Sequence, residues 1–348
     1  MKRLTNIALA IAAAAALAAG CAKSASTGKN DLNKMYFDAW IKAHHPDAQK
    51  TRLGAYIIED IPGSGELIGD SKKSPYVYAS YTVKDLEGNI SSTTFSKVSQ
   101  MLGDYDPTNY YGDHVVSRIE NESYAGINDM LATMRVGGTR TAVIPGWLMT
   151  EAVYDSEEDY LKKISGTESV YTVSVSDRFD DVIQWELDSL ETYMKHNYPG
   201  IDTLAKGFYY VQLKAPIDTT AFENEVTVHI NYTGRLLNGQ AFDTTIKDTA
   251  KVNGIYSASK DYAPSEITWN TEDYKSIKMG GDTDLIEGFT KTLSQMRTGE
   301  IGLGIFHSAY GYSSKGGGSA IPSYSPLIFE IQMLGLNEDG SVDKKDEE

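Results

Sequence analysis

Two polar side chains in the last third of the chain lie among apolar and aromatic residues. Asp243 follows Phe242, and Tyr310 stands between Ala309 and Gly311. The surrounding sequence offers no activated nucleophile, no metal-ligand cluster and no phosphate-binding loop. One carboxylate and one phenol in an apolar pocket suit a reaction that breaks no covalent bond. Rotation about an X–Pro amide is such a reaction.

Strand and helix patterns separate the pieces of this site. Apolar residues alternate along 226–232, which predicts a strand, and Asn238-Gly239 predicts a tight hairpin turn after it. Apolar residues recur at helix spacing over 286–296, and Gly299 ends that helix. We therefore expect a hairpin and one short helix to bring the separate pieces together.

An earlier part of the chain repeats this pattern. The stretch 126–131 matches 288–293, and 134–137 matches 296–299, at the same mutual spacing. Matching spacing over two elements indicates an internal duplication.

Residues 206–336 resemble an FKBP-type peptidyl-prolyl cis-trans isomerase domain. The stretches that carry the resemblance stand in the family's order: Val226–Asp243, Leu285–Phe289, Met296–Gly299, Ala309–Gly311, and Ile321-Pro322 through Phe329. The whole chain is similar to two-domain FKBP lipoproteins of Gram-negative anaerobes, in which a degenerate first copy precedes a more complete second one. The resemblance implies an α+β fold with two FKBP-like domains, each a twisted antiparallel sheet wrapped on a short helix, joined by a linker helix.

The resemblance also implies a role for each residue of the site. Asp243, Tyr310 and Ile286 would be the catalytic positions, with the Tyr310 hydroxyl and the Ile286 backbone N–H donating hydrogen bonds to substrate carbonyls. The substrate-binding residues would be Tyr232, Phe242, Leu285, Phe289, Ile321 and Phe329. Neither a cofactor nor a metal is expected, because catalysis requires only that the pocket bind the twisted amide better than either planar isomer.

Other interpretations of the same residues remain open. Aromatic residues of a small β domain usually belong to its core. A non-catalytic chaperone or protein-interaction lipoprotein could keep the fold and an apolar groove without turnover. A carbohydrate-binding surface lipoprotein is a third hypothesis, which rests only on the abundance of aromatic residues.

Two departures from the family pattern affect the prediction. The stretch 246–280 is longer than the family's usual connection, and it could wall the pocket, cover it as a lid or form a separate contact surface. The first copy has neither the Phe-Asp pair nor the Ala-Tyr-Gly loop, which predicts an FKBP-like scaffold without the isomerase pocket. Holding client chains, mediating dimerisation and spacing the second domain from a membrane are the roles left open for it.

The predicted domain organisation follows from these patterns. Asp177 is the predicted N-cap of the linker helix, and Pro199-Gly200 ends that helix. The predicted units are a lipoprotein signal peptide (1–20), a tether and N-terminal helix (21–50), a degenerate FKBP-like domain (51–176), a linker helix (177–199), an isomerase domain (200–337) and an acidic disordered tail (338–348).

The N-terminal residues predict the compartment. Lys2 and Arg3 precede an apolar run too short to span a bilayer, which ends in small residues before Cys21. This pattern resembles a bacterial lipobox, and Cys21 is the only cysteine of the chain. We therefore expect lipidation at Cys21 and a protein of the bacterial cell envelope, anchored by lipid, on the outer membrane facing the periplasm.

Charge and activity together predict the partners. A formal net charge of −16 argues against nucleic acid, because phosphate binding needs clustered Lys and Arg. The expected partners are proline-containing unfolded or nascent envelope polypeptides, and macrolide-type inhibitors are possible ligands.

Overall fold

A computed structural model describes residues 29–340 of the chain. The predicted signal peptide, Cys21 and the tail from residue 341 onward lie outside the described residues. Within 29–340, no helix combines the length and the apolar character that crossing a membrane requires.

The first domain is built on a seven-stranded antiparallel sheet of order β1-β2-β6-β7-β3-β4, in which β5 also pairs with β3. The strands are β1 Gln49–Lys50, β2 Tyr56–Ile61, β3 Tyr76–Lys84, β4 Ile90–Thr93, β5 His114–Ser117, β6 Thr139–Ile144 and β7 Ser169–Phe179. The helices are α1 Lys29–His44, α2 Ser96–Leu102, α3 Ala125–Leu131 and α4 Glu157–Lys163. The predicted N-terminal helix is present, and it buries Phe37 and Ile41 against this domain.

The second domain has an eight-stranded sheet of order β13-β12-β11-β9-β15-β14-β8, in which β10 pairs with β9. Its strands are β8 Phe208–Lys214, β9 Thr227–Leu236, β10 Ala241–Thr244, β11 Ser265–Thr268, β12 Lys278–Met279, β13 Thr283–Asp284, β14 Ile301–Phe306 and β15 Leu327–Gly335. The helices are α6 Lys247–Val252 and α7 Glu287–Leu293. The core packs the buried residues of α7 against the central strands.

The two sheets share one topology. In both, the long central strand (β3 or β9) pairs with a short hairpin partner (β4 or β10), with the last strand of its domain (β7 or β15) and with β5 or β11. The helix that packs on the sheet has seven residues in each domain, and both helices start after a residue in extended conformation. The duplication predicted from spacing is therefore a duplication of fold, and the fold class is the predicted one.

The linker helix α5 runs from Val182 to Asn197 and begins later than predicted. Asp177 does not cap it, because residues up to Phe179 continue β7 and pair with β3. Asp181 is the cap instead: its Oδ1 accepts hydrogen bonds from the N–H groups of Ile183 (2.9 Å) and Gln184 (3.0 Å). The pairing of a long strand thus moved the cap of the helix from the predicted Asp177 to Asp181.

A loop of the first domain contacts the second domain near its last strand. The N–H of Tyr110 donates to the carbonyl of Ser319 (2.8 Å), and Nε2 of Gln240 donates to the carbonyl of Asn109 (3.0 Å). The ring of Tyr76 meets that of Tyr324 edge to face, with centroids 5.7 Å apart. The loop between Tyr310 and β15 therefore packs against the first domain.

Candidate active site

Adjacent strands β9 and β10 position the phenol of Tyr232 and the carboxylate of Asp243. Asp243 pairs with Gly234 next to a β-bulge. Because a bulge changes the direction of the side chains beside it, the carboxylate of Asp243 faces Tyr232. The Tyr232 hydroxyl donates to Oδ2 of Asp243 at 2.6 Å. Burial and the adjacent carboxylate both raise the pKa of Tyr232 well above its ordinary value. This phenol is therefore neutral at physiological pH and acts as a hydrogen-bond donor.

Four aromatic rings form the apolar part of the site, with Phe329 of β15 at their centre. Its ring lies 4.9 Å from that of Phe289 and 5.6 Å from that of Phe242, both edge to face, and 6.2 Å from that of Tyr232. The rings of Tyr232 and Phe289 also meet edge to face at 5.4 Å. Edge-to-face pairs at these distances are the preferred aromatic geometry, so the rings hold one another in place.

Gly234 leaves the space that the ring of Phe242 occupies. A Cβ at this position would lie 2.5 Å from the Phe242 ring and 3.0 Å from the Phe329 ring. In the first domain the equivalent position of β3 is Val83, and its partner strand carries Ser91 and Ser92 instead of a Phe-Asp pair. The small residue and the large ring therefore occur together in one domain and are absent together in the other.

The start of α7 contributes a backbone donor. Ile286 caps the helix in extended conformation (φ −62°, ψ 144°), and Phe289 in the first turn points into the core at 2% exposure. Leu285 and Ile286 are half-buried against the same cluster of apolar residues. Over the described stretch, the N–H of Ile286 has no hydrogen-bond acceptor. It is thus available to a carbonyl of a bound molecule.

A short 3₁₀ turn, Ser308–Tyr310, positions the second phenol. The ring of Tyr310 packs edge to face on His307, with centroids 5.1 Å apart, and Nζ of Lys291 lies 4.9 Å from its centroid. The turn is fixed by the linker helix, because buried Glu186 accepts hydrogen bonds from the N–H (2.6 Å) and Oγ (2.7 Å) of Ser308. Burial raises the pKa of Glu186 to about 7.

Ile321 lies in the loop that closes the other side of the site. It is buried at 5% exposure and forms an isolated bridge with Gly317. All of the apolar and aromatic residues predicted for the site pack in or against one core cluster, and Asp243 joins them through Tyr232. The structure thus brings the predicted residues together, whereas their catalytic roles stay predictions.

Two side chains at the site were not predicted from the sequence. Lys260, from the stretch after α6, forms an ion pair with Oδ1 of Asp243. Tyr312 is half-buried beside the same carboxylate, and burial together with Asp243 raises its pKa. Both residues stand in loops whose conformation follows from contacts distant in sequence.

The stretch 246–280 is not a single lid. Its second half contributes β11 and β12 to the sheet, and only its first half reaches Asp243. That first half repeats a motif of the first domain. Tyr256 stacks on Tyr262 as Tyr105 stacks on Tyr111, with centroids 5.5 and 5.2 Å apart, and the hydroxyl of the second tyrosine accepts a backbone N–H in each case. The two tyrosines have the same spacing along the sequence in both domains. This repeat is a sequence signal that could have predicted the conformation of the loop.

A group of possible metal ligands lies at the far end of β9, away from the site. His229 is the register partner of Glu266, and its Nε2 lies 3.8 Å from Oε1 of Glu338. Their ligand atoms all lie within 4.8 Å of one another, but both glutamates are exposed. Spacing along the sequence could not find this group, because its members come from different strands.

Comparison with known proteins shows which family the second domain resembles. Residues 218–334 match the family model described as FKBP-type peptidyl-prolyl cis-trans isomerase. FK506-binding protein 1A of Aspergillus fumigatus is 29% identical over 129 residues, which cover 36% of this chain and 92% of that protein. Peptidyl-prolyl cis-trans isomerase Mip of Coxiella burnetii is 27% identical over 143 residues, which cover 41% of this chain and 50% of that protein. The chain thus spans only half the length of Mip.

Solved structures include a peptidyl-prolyl cis-trans isomerase from Pseudomonas syringae pv. tomato. It is 25% identical, the match covers 44% of this chain and 96% of that chain, and the TM-score is 0.30.

Proposed function

Because the chain belongs to the FKBP-type peptidyl-prolyl cis-trans isomerases through residues 218–334, we propose that its second domain isomerises X–Pro bonds in unfolded polypeptides of the bacterial envelope. The observation that carries this proposal is the hydrogen bond between Tyr232 and Asp243 at the edge of four packed aromatic rings. This hydrogen bond sets a single oriented carboxylate beside an apolar, aromatic surface, on which the proposed amide rotation would take place.

The proposed mechanism follows from the electronic structure of the amide. Rotation about C–N is opposed by a barrier of about 18–20 kcal/mol, since the planar amide has partial double-bond character. The twisted amide has lost the charge separation of the planar form, so a pocket walled by Phe242, Phe289 and Phe329 stabilises it relative to water. The pocket lowers the barrier only by the difference between its affinity for the twisted and for the planar amide.

Polar groups at the rim orient the substrate in this proposal. The Ile286 N–H and the Tyr310 hydroxyl donate hydrogen bonds to carbonyls that flank the proline. Asp243, held by the Tyr232 hydroxyl, places one negative charge beside the pocket. None of these groups exchanges a proton with the substrate, which agrees with a reaction that breaks no bond.

The proposed location is the cell envelope, with the chain anchored by lipid at Cys21. Incorporation of labelled palmitate into the wild-type protein, and its loss in the Cys21→Ser variant, is the expected result. Uncatalysed X–Pro exchange takes tens of seconds at 25 °C, which is slow enough to limit folding. An isomerase anchored in the envelope would accelerate this slow X–Pro exchange in polypeptides that fold there.

One observation favours the alternative of a non-catalytic binding module: Lys260 already neutralises Asp243. The two functions are distinguished by comparing wild type with Phe242→Ala in two assays. One assay follows the refolding of a protein that is limited by prolyl isomerisation, and the other follows binding of a permanently unfolded protein. We expect Phe242→Ala to lose the acceleration. A wild-type protein that binds the unfolded chain but never accelerates refolding would favour the binding module.

A further inference from the structure

The first domain has an open cleft at the place that corresponds to the site of the second domain. Its volume is about 610 Å³, which is in the usual range for ligand sites. The correspondence rests on Tyr81, whose N–H donates to Oγ1 of Thr94 (2.9 Å), just as the N–H of Tyr232 donates to Oγ1 of Thr245 (3.0 Å). Degeneration of the first copy therefore changed the lining of the cleft and did not close it.

The lining lacks the parts that the isomerase proposal uses. Val83 pairs with Ser92 in the register in which Gly234 pairs with Asp243, so a serine replaces the carboxylate. Ser91 stands in the place of Phe242. We expect no prolyl isomerisation here, because the oriented carboxylate and one of the aromatic walls are missing.

Three tyrosines line the cleft of the first domain, which lacks the carboxylate and one aromatic wall of the second domain's site. Tyr81, Tyr124 and Tyr171 all line it. Burial raises the pKa of Tyr171, and the neighbouring Tyr124 and Tyr81 raise it further. Across residues 29–340 none of the three hydroxyls has a hydrogen-bond partner. Three unpaired phenols around an open cleft are hydrogen-bonding groups for a ligand.

The floor and the rim differ in chemistry. Aliphatic side chains form the floor: Val77, Val116, Ile127, Leu131 and Val173. Two carboxylates, Glu122 and Glu151, stand at the edge, and no lysine or arginine lines the cleft. His114 also lines it, and burial lowers the pKa of that imidazole, so it adds no positive charge at neutral pH. An apolar group beside a positive charge is the complement of this surface.

We propose that this cleft is a second peptide-binding site, which holds an apolar side chain flanked by lysine or arginine and does not catalyse isomerisation. An extended peptide offers both the apolar side chain for the floor and backbone carbonyls for the tyrosine hydroxyls. The aliphatic floor favours a peptide over a carbohydrate, which would need polar groups at that depth. The site does not depend on activity in the second domain.

The test measures binding of a fluorescein-labelled peptide, Gly-Lys-Leu-Phe-Lys-Gly, to the full chain by fluorescence anisotropy. The peptide has no proline, so it does not report on isomerisation. We expect at least tenfold weaker binding by Tyr124→Ala, whose side chain is 42% exposed and which should therefore fold. The variant with both Glu122→Gln and Glu151→Gln should bind at least fivefold more weakly.

Controls separate this cleft from the second domain and from general charge. Phe242→Ala, in the second domain, and Glu87→Gln, in the exposed β3–β4 turn, should bind the peptide as wild type does. A peptide with glutamate in place of both lysines should bind at least tenfold more weakly. Equal binding by wild type and both cleft variants, loss of binding in Phe242→Ala, or no binding by wild type would each overturn the proposal.

Discussion

The ammonium group of Lys260 lies against Oδ1 of Asp243, the carboxylate whose Oδ2 accepts the Tyr232 hydroxyl. Lys260 comes from the loop that follows α6, so this ion pair fastens the loop over the edge of the candidate site. Both side chains are more than one third exposed, at 36% and 40%. An ion pair this exposed contributes about 0.2–1 kcal/mol and is weakened by salt. This ion pair is therefore weak enough for a substrate to displace the Lys260 side chain from Asp243.

Replacing Lys260 by Ala should make the site more accessible. We expect kcat/KM for a prolyl test peptide to rise about twofold to fivefold, which corresponds to the weak ion pair that is lost. Raising the salt concentration should increase the wild-type rate and leave that of the variant unchanged. Lys251→Ala, which removes an exposed ion pair with Asp248 within the neighbouring helix α6, is the control. A rate that falls in Lys260→Ala would instead make Lys260 part of the substrate site.

The Tyr232→Phe variant should show how much the hydrogen bond to Asp243 contributes to activity, separately from the packing of the Tyr232 ring. The ring contacts remain, but the 2.6 Å hydrogen bond to Asp243 is lost. We expect about 0.5–1.5 kcal/mol lower stability from the lost bond, and a kcat/KM lower by about threefold to tenfold. Tyr210→Phe removes a comparable bond, to Glu300, on another part of the sheet. It should lower the unfolding midpoint without changing kcat/KM, and an equal loss of activity in both variants would contradict a specific role for Tyr232.

A methyl group at Gly234 should displace the ring of Phe242. The added Cβ would overlap that ring, so Gly234→Ala should cost about 1–3 kcal/mol of unfolding free energy and lower turnover. Val83→Gly in the first domain is the reciprocal change, and it should leave turnover unaltered because Val83 lies outside the domain that carries the candidate site. Urea denaturation and peptide turnover test both variants. Full activity in Gly234→Ala would show that Phe242 does not need its present position.

Stability should depend on pH through Glu186. Its folded pKa of about 7 lies above the ordinary 4.5, so the folded state keeps its proton when the unfolded state has lost it. The unfolding free energy contributed by this group therefore falls as pH rises from about 4.5 to 7, by about 3 kcal/mol in all.

The Glu186→Gln variant should lack this decrease, since an amide does not titrate. Urea midpoints measured between pH 4.5 and 8 for wild type and Glu186→Gln should diverge as the pH rises. Parallel curves for the two proteins would show that Glu186 titrates normally.

The sequence predicted those parts of the structure that local patterns determine. Tyr232 and Asp243 lie on one hairpin, so their strand alternation and turn fixed their proximity. Phe289 followed from helix spacing, and the sheet of the first domain followed from the internal duplication. The prediction of Asp177 as a helix cap was wrong because β-pairing extended the preceding strand. Lys260 and Tyr312 could not be predicted, because the packing of long loops against distant strands determines where they lie.

The most direct test of the central claim is the cis-to-trans rate of an X–Pro test peptide, measured with the full chain in the presence and absence of a pocket-directed macrolide inhibitor. We predict an acceleration that the inhibitor abolishes and that Phe242→Ala and Asp243→Ala reduce at least tenfold. A folded protein that gives no acceleration, or an acceleration that persists in Phe242→Ala, would contradict the account.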